Sequence, residues 1–186
     1  LYNTTGLRNT ATGNYGLVSN ASGGDNAAYG YQALTNNTRG SQNVAMGPNT
    51  LLYNKGNNGS TAIGYQAMMN PDTSEFFPEQ RTTYNTAIGY ESLKGNYPPW
   101  NNTGTDNTAT GAHTLKNNSA GSSNVAIGSR ALFTNTTGNT NIAIGRSALY
   151  SNTDKSNLMA IGDSALFYNT TGNMNLAFGA SALKSN

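Results

Sequence analysis

Few side chains in this 186-residue sequence can do acid–base, nucleophilic or metal chemistry: there is one histidine, His113, with eight carboxylates and no cysteine. A general base needs a partner that orients it, and a metal needs several donors converging on one point. No two carboxylates recur at a spacing that places a pair on one face, so the sequence predicts no enzyme, no metal and no cofactor. His113 reads as a surface substitution within a repeat rather than as a base. The glycines imitate phosphate loops but open no helix, which is the context such a loop requires. Recognition chemistry is richer in two irregular stretches, at about 70–84 and 95–103, which carry Phe76, Phe77, Tyr84, Tyr97 and the only tryptophan, Trp100. Aromatic side chains on loops held by a rigid scaffold often bind ligands. These five are the candidate ligand-binding residues, with a glycan or a protein receptor as the ligand; the competing reading is that they seal a gap between irregular segments or pack on a neighbouring subunit.

The elements that would carry those stretches follow from composition and period. Asn, Thr and Gly number 30, 24 and 22, and charged and hydrophobic residues make up 10% and 35%, against about 25% and 45–50% in an ordinary domain. A conventional enzyme core is hard to build from this mixture. Helices are disfavoured by the same three residue types. Intrinsic disorder fits poorly as well, because the net charge is only +2 and Ala, Ile and Leu recur in regular clusters. Ten basic residues spread along the chain form no patch for nucleic acid, and no apolar run approaches the ~18 residues of a membrane span. Asn-x-Ser/Thr triplets at Asn3, Asn36, Asn135 and Asn169 read as repeat letters rather than glycan acceptors.

The repeat is Asn-x-Ala-x-Gly, with its Gly at 13, 30, 47, 64, 89, 111, 128, 145, 162 and 179. Seven of the nine intervals are 17 residues; the others are 25 and 22 and hold the two insertions. Two residues before that Gly stands Ala in every unit, as in Ala45 and Ala126 beside Gly47 and Gly128. Four after it stands Leu, as in Leu51 and Leu132, with Met68 once, and seven after it Asn, as in Asn54 and Asn135. Each unit reads as one coil of a β-solenoid, a parallel β-roll. A short strand carries Ala, Gly turns the chain, Ala-Leu faces inward, and Asn-Thr-Thr-Gly turns again. Stacking puts Leu on Leu, at roughly 1.5–3 kcal/mol for each buried side chain. Equivalent Asn side chains, about 4.8 Å apart, can hydrogen-bond as ladders. Residues 1–186 form a single repeat domain of ten 17-residue coils, a rod roughly 48 Å long.

Alternation along each strand gives the Ala and the Asn two before it one face, and the residues flanking Ala the other. The flanking pairs are largely apolar: Val44 and Met46, Val125 and Ile127, Ile142 and Ile144, Leu176 and Phe178. A strand apolar on both faces is normally covered on both, so a parallel homotrimer closing around a fibre axis is expected. Both ends of the sequence fall inside the repeat without a polar capping unit, as in a segment cut from a longer fibre.

The units Asn124-Val125-Ala126-Ile127-Gly128-Ser129-Arg130-Ala131-Leu132 and Asn85-Thr86-Ala87-Ile88-Gly89-Tyr90-Glu91-Ser92-Leu93 resemble the head repeats of YadA-like trimeric autotransporter adhesins and similar runs in phage tail fibres and bacterial surface fibres. The resemblance implies a trimeric β-roll, extracellular at a cell surface or on a virion, acting as a stalk or receptor-binding module. Two other classes compete. An ice-binding solenoid would need a flat Thr array, and the column three before the repeat Gly mixes Thr with Ala, Val, Ile, Met and Leu. A carbohydrate-active β-helix tail-spike would need clustered carboxylates.

Overall fold

The computed structural model of the chain describes residues 4–71, 81–96 and 102–186. Among them every regular element is a strand: β1 (Thr10–Thr12), β2 (Ala27–Tyr29), β3 (Val44–Met46), β4 (Asn57–Asn58), β5 (Thr61–Ile63), β6 (Arg81–Thr82), β7 (Thr86–Ile88), β8 (Thr108–Thr110), β9 (Val125–Ile127), β10 (Ile142–Ile144), β11 (Met159–Ile161) and β12 (Leu176–Phe178). Ten of these form one parallel sheet in chain order, and β4 pairs with β6 beside it. The chain is a β-solenoid whose coils stack through that sheet. Register holds Ala on Ala at every step, including Ala62 on Ala87 and Ala87 on Ala109 across the two insertions. The insertions therefore leave and rejoin the solenoid without shifting it.

Each of the ten strands of the main sheet is three residues long because the repeat Gly ends it. The ten equivalent glycines have φ between 110° and 138°, a region that L side chains rarely adopt. They also stack on one another: a Cβ at Gly13 would sit 2.6 Å from the Gly30 carbonyl oxygen, and one at Gly162 2.4 Å from that of Gly179. Conformation and close approach both demand glycine here.

The Ala-Leu segment is a turn and forms no second strand. Leu17, Leu34, Leu132 and Leu149 have φ of 51°, 52°, 50° and 53°. A left-handed residue with a Cβ costs roughly 1–2 kcal/mol, an amount that burying the Leu side chain offsets. The conformation also explains the consensus. In an extended strand, adjacent residues point to opposite faces, whereas here Ala33 and Leu34, or Ala148 and Leu149, are both fully buried. The turn is still hydrogen-bonded from coil to coil, with Leu17 N donating to Ala33 O at 3.0 Å and Ser19 N to Thr35 O at 3.0 Å.

Two Asn ladders run through the interior beside this apolar column. In one, Asn37 Nδ2 donates to Asn20 Oδ1 and Asn54 Nδ2 to Asn37 Oδ1, both at 2.8 Å. In the other, Asn43 donates both its backbone N (3.0 Å) and its Nδ2 (3.1 Å) to Asn26 Oδ1. Within a coil the ladders meet on one carbonyl: Gly40 O accepts from Asn26 Nδ2 at 2.8 Å and Asn37 Nδ2 at 2.9 Å. The same pair of bonds recurs on Gly121 O and Gly138 O. Buried carboxamides are costly unless satisfied, and here the next coil and the closing turn satisfy most of them; the Oδ1 atoms of Asn54, Asn70 and Asn152, where the ladder breaks, are buried without a hydrogen-bond partner. Asn135 and Asn169 belong to these ladders and are fully buried, which explains the triplets that begin with them.

Candidate functional site

Three features stand out once the interior is accounted for. The first is the outward sheet face. The residues flanking Ala point away from the core, as alternation predicts, and they make two columns ten strands long. The exposed members include Met46, Ile88 and Ile127, and among the large apolar side chains of the face exposure is greatest at Tyr29 and Phe178 (both 61%) and at Leu176 (57%). The face is graded along the rod. Thr10, Thr12, Thr61, Thr86, Thr108 and Thr110 supply its hydroxyls, whereas β9 to β12 carry only Val, Ile, Met, Leu and Phe at the flanking positions.

The second feature is the base of the two insertions. Their described ends lie together, where the Asn20–Asn37–Asn54 ladder is interrupted. Asn102 Nδ2 donates to Asn70 O at 2.6 Å and to Asn96 O at 2.8 Å, and its Oδ1 accepts from Asn96 N at 3.1 Å. The Arg81 guanidinium donates to Thr103 O, tying the end of the first insertion to the end of the second. Asn96, expected in the ladder, turns aside and donates to Asn117 O at 2.9 Å. Ser60 replaces Asn in the other ladder and pairs its hydroxyl with that of Thr83 at 2.7 Å. Among the described residues these coils form a half-open pocket of about 30 Å³ lined by Ser60, Asn70, Thr83, Asn85 and Asn102 among others, which has room for little more than water. Of the five candidate ligand-binding aromatics, Tyr84 is described: it is exposed, takes φ of 49° and packs beside Gly59. Phe76, Phe77, Tyr97 and Trp100 lie outside the described residues.

The third is an ion cluster that sequence spacing did not reveal, because the 22-residue interval hides its period. Glu91 and His113 occupy the same position in successive coils, as do Lys94 and Lys116. Stacking brings all four together: Lys94 Nζ lies 2.6 Å from Glu91 Oε1, Lys116 Nζ 2.7 Å from Oε2, and His113 Nδ1 3.1 Å from Oε2. Burial pushes the Glu91 carboxyl up, but hydrogen bonds and charge from Lys116 and Lys94 prevail and bring it down to about 2. His113, read from the sequence as a surface substitution, is thus half-buried in this cluster, edge-on to both Tyr90 and Phe133. Among the described residues no three His, Cys, Asp or Glu side chains converge as a metal site would require. No helix of the described residues is long and apolar enough to cross a membrane. No protein-family model, curated protein or solved structure matches the chain.

Proposed function

We propose that this chain is a structural segment of an extracellular or virion-borne fibre that contacts a surface receptor or glycan, assembled as a parallel homotrimer through its outward sheet face. The observation that carries this reading is the face itself: a ten-strand face about 43 Å long, mixed with Thr over β1 to β8 and wholly apolar over β9 to β12, with aliphatic and aromatic side chains exposed along it. Contiguous apolar surface of this kind marks a contact. Its gradient favours the parallel arrangement, because chains in register set Phe178 and Leu176 against their own copies, whereas antiparallel chains would set them against Thr12 and Thr10. The resemblance of the Asn-Val-Ala-Ile-Gly units to trimeric adhesin heads supports the same assembly, and a scaffold whose bonds are nearly all internal suits a stalk.

The mass of the particle in solution, by light scattering or native mass spectrometry, tests this. Three copies of the 19.5 kDa chain are expected, and replacing Ile127 and Ile144 with Asp should leave folded single chains. A monodisperse monomer showing thermal hysteresis would replace the fibre reading with ice binding on the same face.

A further inference from the structure

One row of side chains is explained neither by the core nor by the outward sheet face. Immediately after the repeat Gly, the first residue of the turn is exposed at the corner in the first five coils, and the second lies beside it, exposed at Tyr15, half-buried at Gln32, Asn49 and Gln66 and buried at Glu91. In the first five coils these two columns hold Tyr15, Tyr31, Tyr65 and Tyr90, interleaved with Gln32, Asn49 and Gln66. The four tyrosines are 54%, 47%, 40% and 49% exposed. They come in two ring pairs. Tyr15 meets Tyr31 edge to face at 6.2 Å, and Tyr65 stacks on Tyr90 at 5.2 Å with 19° between the planes. Gln66 Nε2 donates to the Tyr65 hydroxyl at 3.2 Å.

Nothing in the fold requires tyrosine there. In the last four coils the first column after the same Gly holds Ser129, Arg146, Asp163 and Ala180, on the same backbone and in the same register. The aromatic row is a finite patch on a uniform scaffold. Its backbone is already committed, since Gln32 N donates to Asn14 O, Asn49 N to Tyr31 O, Gln66 N to Pro48 O and Glu91 N to Tyr65 O. A peptide adding as a strand would find no free ladder, so a partner must be held by side chains. The one carboxylate in the row, Glu91, is already engaged by Lys94 and Lys116, so no free anionic group is left to recruit a cationic partner. Exposed aromatic rings beside planar amides, with no free carboxylate among them, fit the apolar C–H faces and hydroxyls of a neutral sugar. The pairs are strung along the rod at one rung per coil, about 4.8 Å, a step close to the length of one pyranose in an extended chain.

We infer that the Tyr15–Tyr90 ridge binds a linear, neutral polysaccharide laid parallel to the solenoid axis, about one sugar per coil. The inference rests on the reading of the chain as a surface-contacting fibre and names a glycan class for that contact. Isothermal titration of the intact chain with neutral linear hexasaccharides (β-1,4-linked glucose, N-acetylglucosamine and mannose) tests it. Binding should strengthen with chain length up to about five sugars and then level. The double substitution Tyr65→Ala with Tyr90→Ala should weaken it by about tenfold or more, and Tyr31→Ser should weaken it less. Tyr168→Ala, an exposed tyrosine in a different column, should change nothing. Unchanged thermal melting of the variants separates lost contact from lost fold. Failure of every hexasaccharide to bind, or equal binding by the double variant, overturns the ridge; binding of a short peptide in their place would reassign it to a protein. Solution mass is read separately, so a trimer that binds no sugar overturns this inference and leaves the fibre reading standing.

Discussion

Asn135 donates its carboxamide nitrogen to Asn118 Oδ1 in the preceding coil at 2.8 Å and to Gly138 O in its own turn at 3.1 Å, and its Oδ1 accepts from Asn152 at 3.0 Å. One side chain thus joins three consecutive coils and closes one of them. Replacing it with Ala removes all three bonds and leaves buried partners on either side. Unsatisfied buried groups cost about 1–3 kcal/mol each, so Asn135→Ala should lower unfolding free energy by about 3 kcal/mol or more, read from denaturant melts.

The glycine column separates two costs that usually come together. A Cβ at Gly145 would lie 2.4 Å from Gly162 O, whereas one at Gly179, also at positive φ, meets nothing within 4 Å. Gly179→Ala should cost about 1–2 kcal/mol of backbone strain. Gly145→Ala should cost clearly more, because the sheet between β10 and β11 must also move apart. Parallel thermal melts of the two variants give the difference, and equal losses would refute the packing argument.

Acid should find a specific weak point at Glu91. Its folded pKa of about 2 lies below the ordinary value of 4.5, so the stability it contributes is present above about pH 4.5 and is lost as pH falls from there toward 2. The depression corresponds to at most about 3 kcal/mol. Glu91→Gln should already lack this contribution at neutral pH, with Lys94 and Lys116 left facing each other. Its melting temperature should therefore fall less than that of the wild type between pH 5 and pH 3.

Leu149 tests whether burial outweighs the strain of its left-handed backbone. Leu149→Gly relieves φ of 53° but empties a fully buried site. Large-to-small changes in cores cost about 2–5 kcal/mol, more than the relief, so a net loss of about 2–3 kcal/mol is expected from chemical denaturation.

Much of this architecture is legible in the sequence because a solenoid repeats its reasons. The Ala, Leu, Gly and Asn columns each return to one environment coil after coil, and period alone assigns Ala45, Leu51 and Asn54 to the interior and Gly47 to the turn. What period could not supply is handedness of φ residue by residue. Ala-Leu reads as an inward segment but not as a left-handed turn, because Leu carries no signature for that conformation. Exceptions were opaque for the opposite reason. Leu158 replaces Asn in a ladder and is buried there, yet its backbone N still donates to Asn141 Oδ1 at 3.0 Å. Only coordinates reveal that the ladder tolerates it. The Glu91 cluster and the Asn102 staple depend on residues brought level by unequal intervals, which no fixed period aligns.

The undisturbed register across the 25- and 22-residue intervals has a consequence for how such a chain can change. Each coil is checked only against the coil before and the coil after, so duplicating or deleting one whole unit alters the length of the object by one step and asks nothing of the rest. Loops can be spliced into a corner on the same terms. The sequence behaves as a ruled page, on which interior columns keep the lines parallel while outward columns such as the tyrosine row can be rewritten one line at a time.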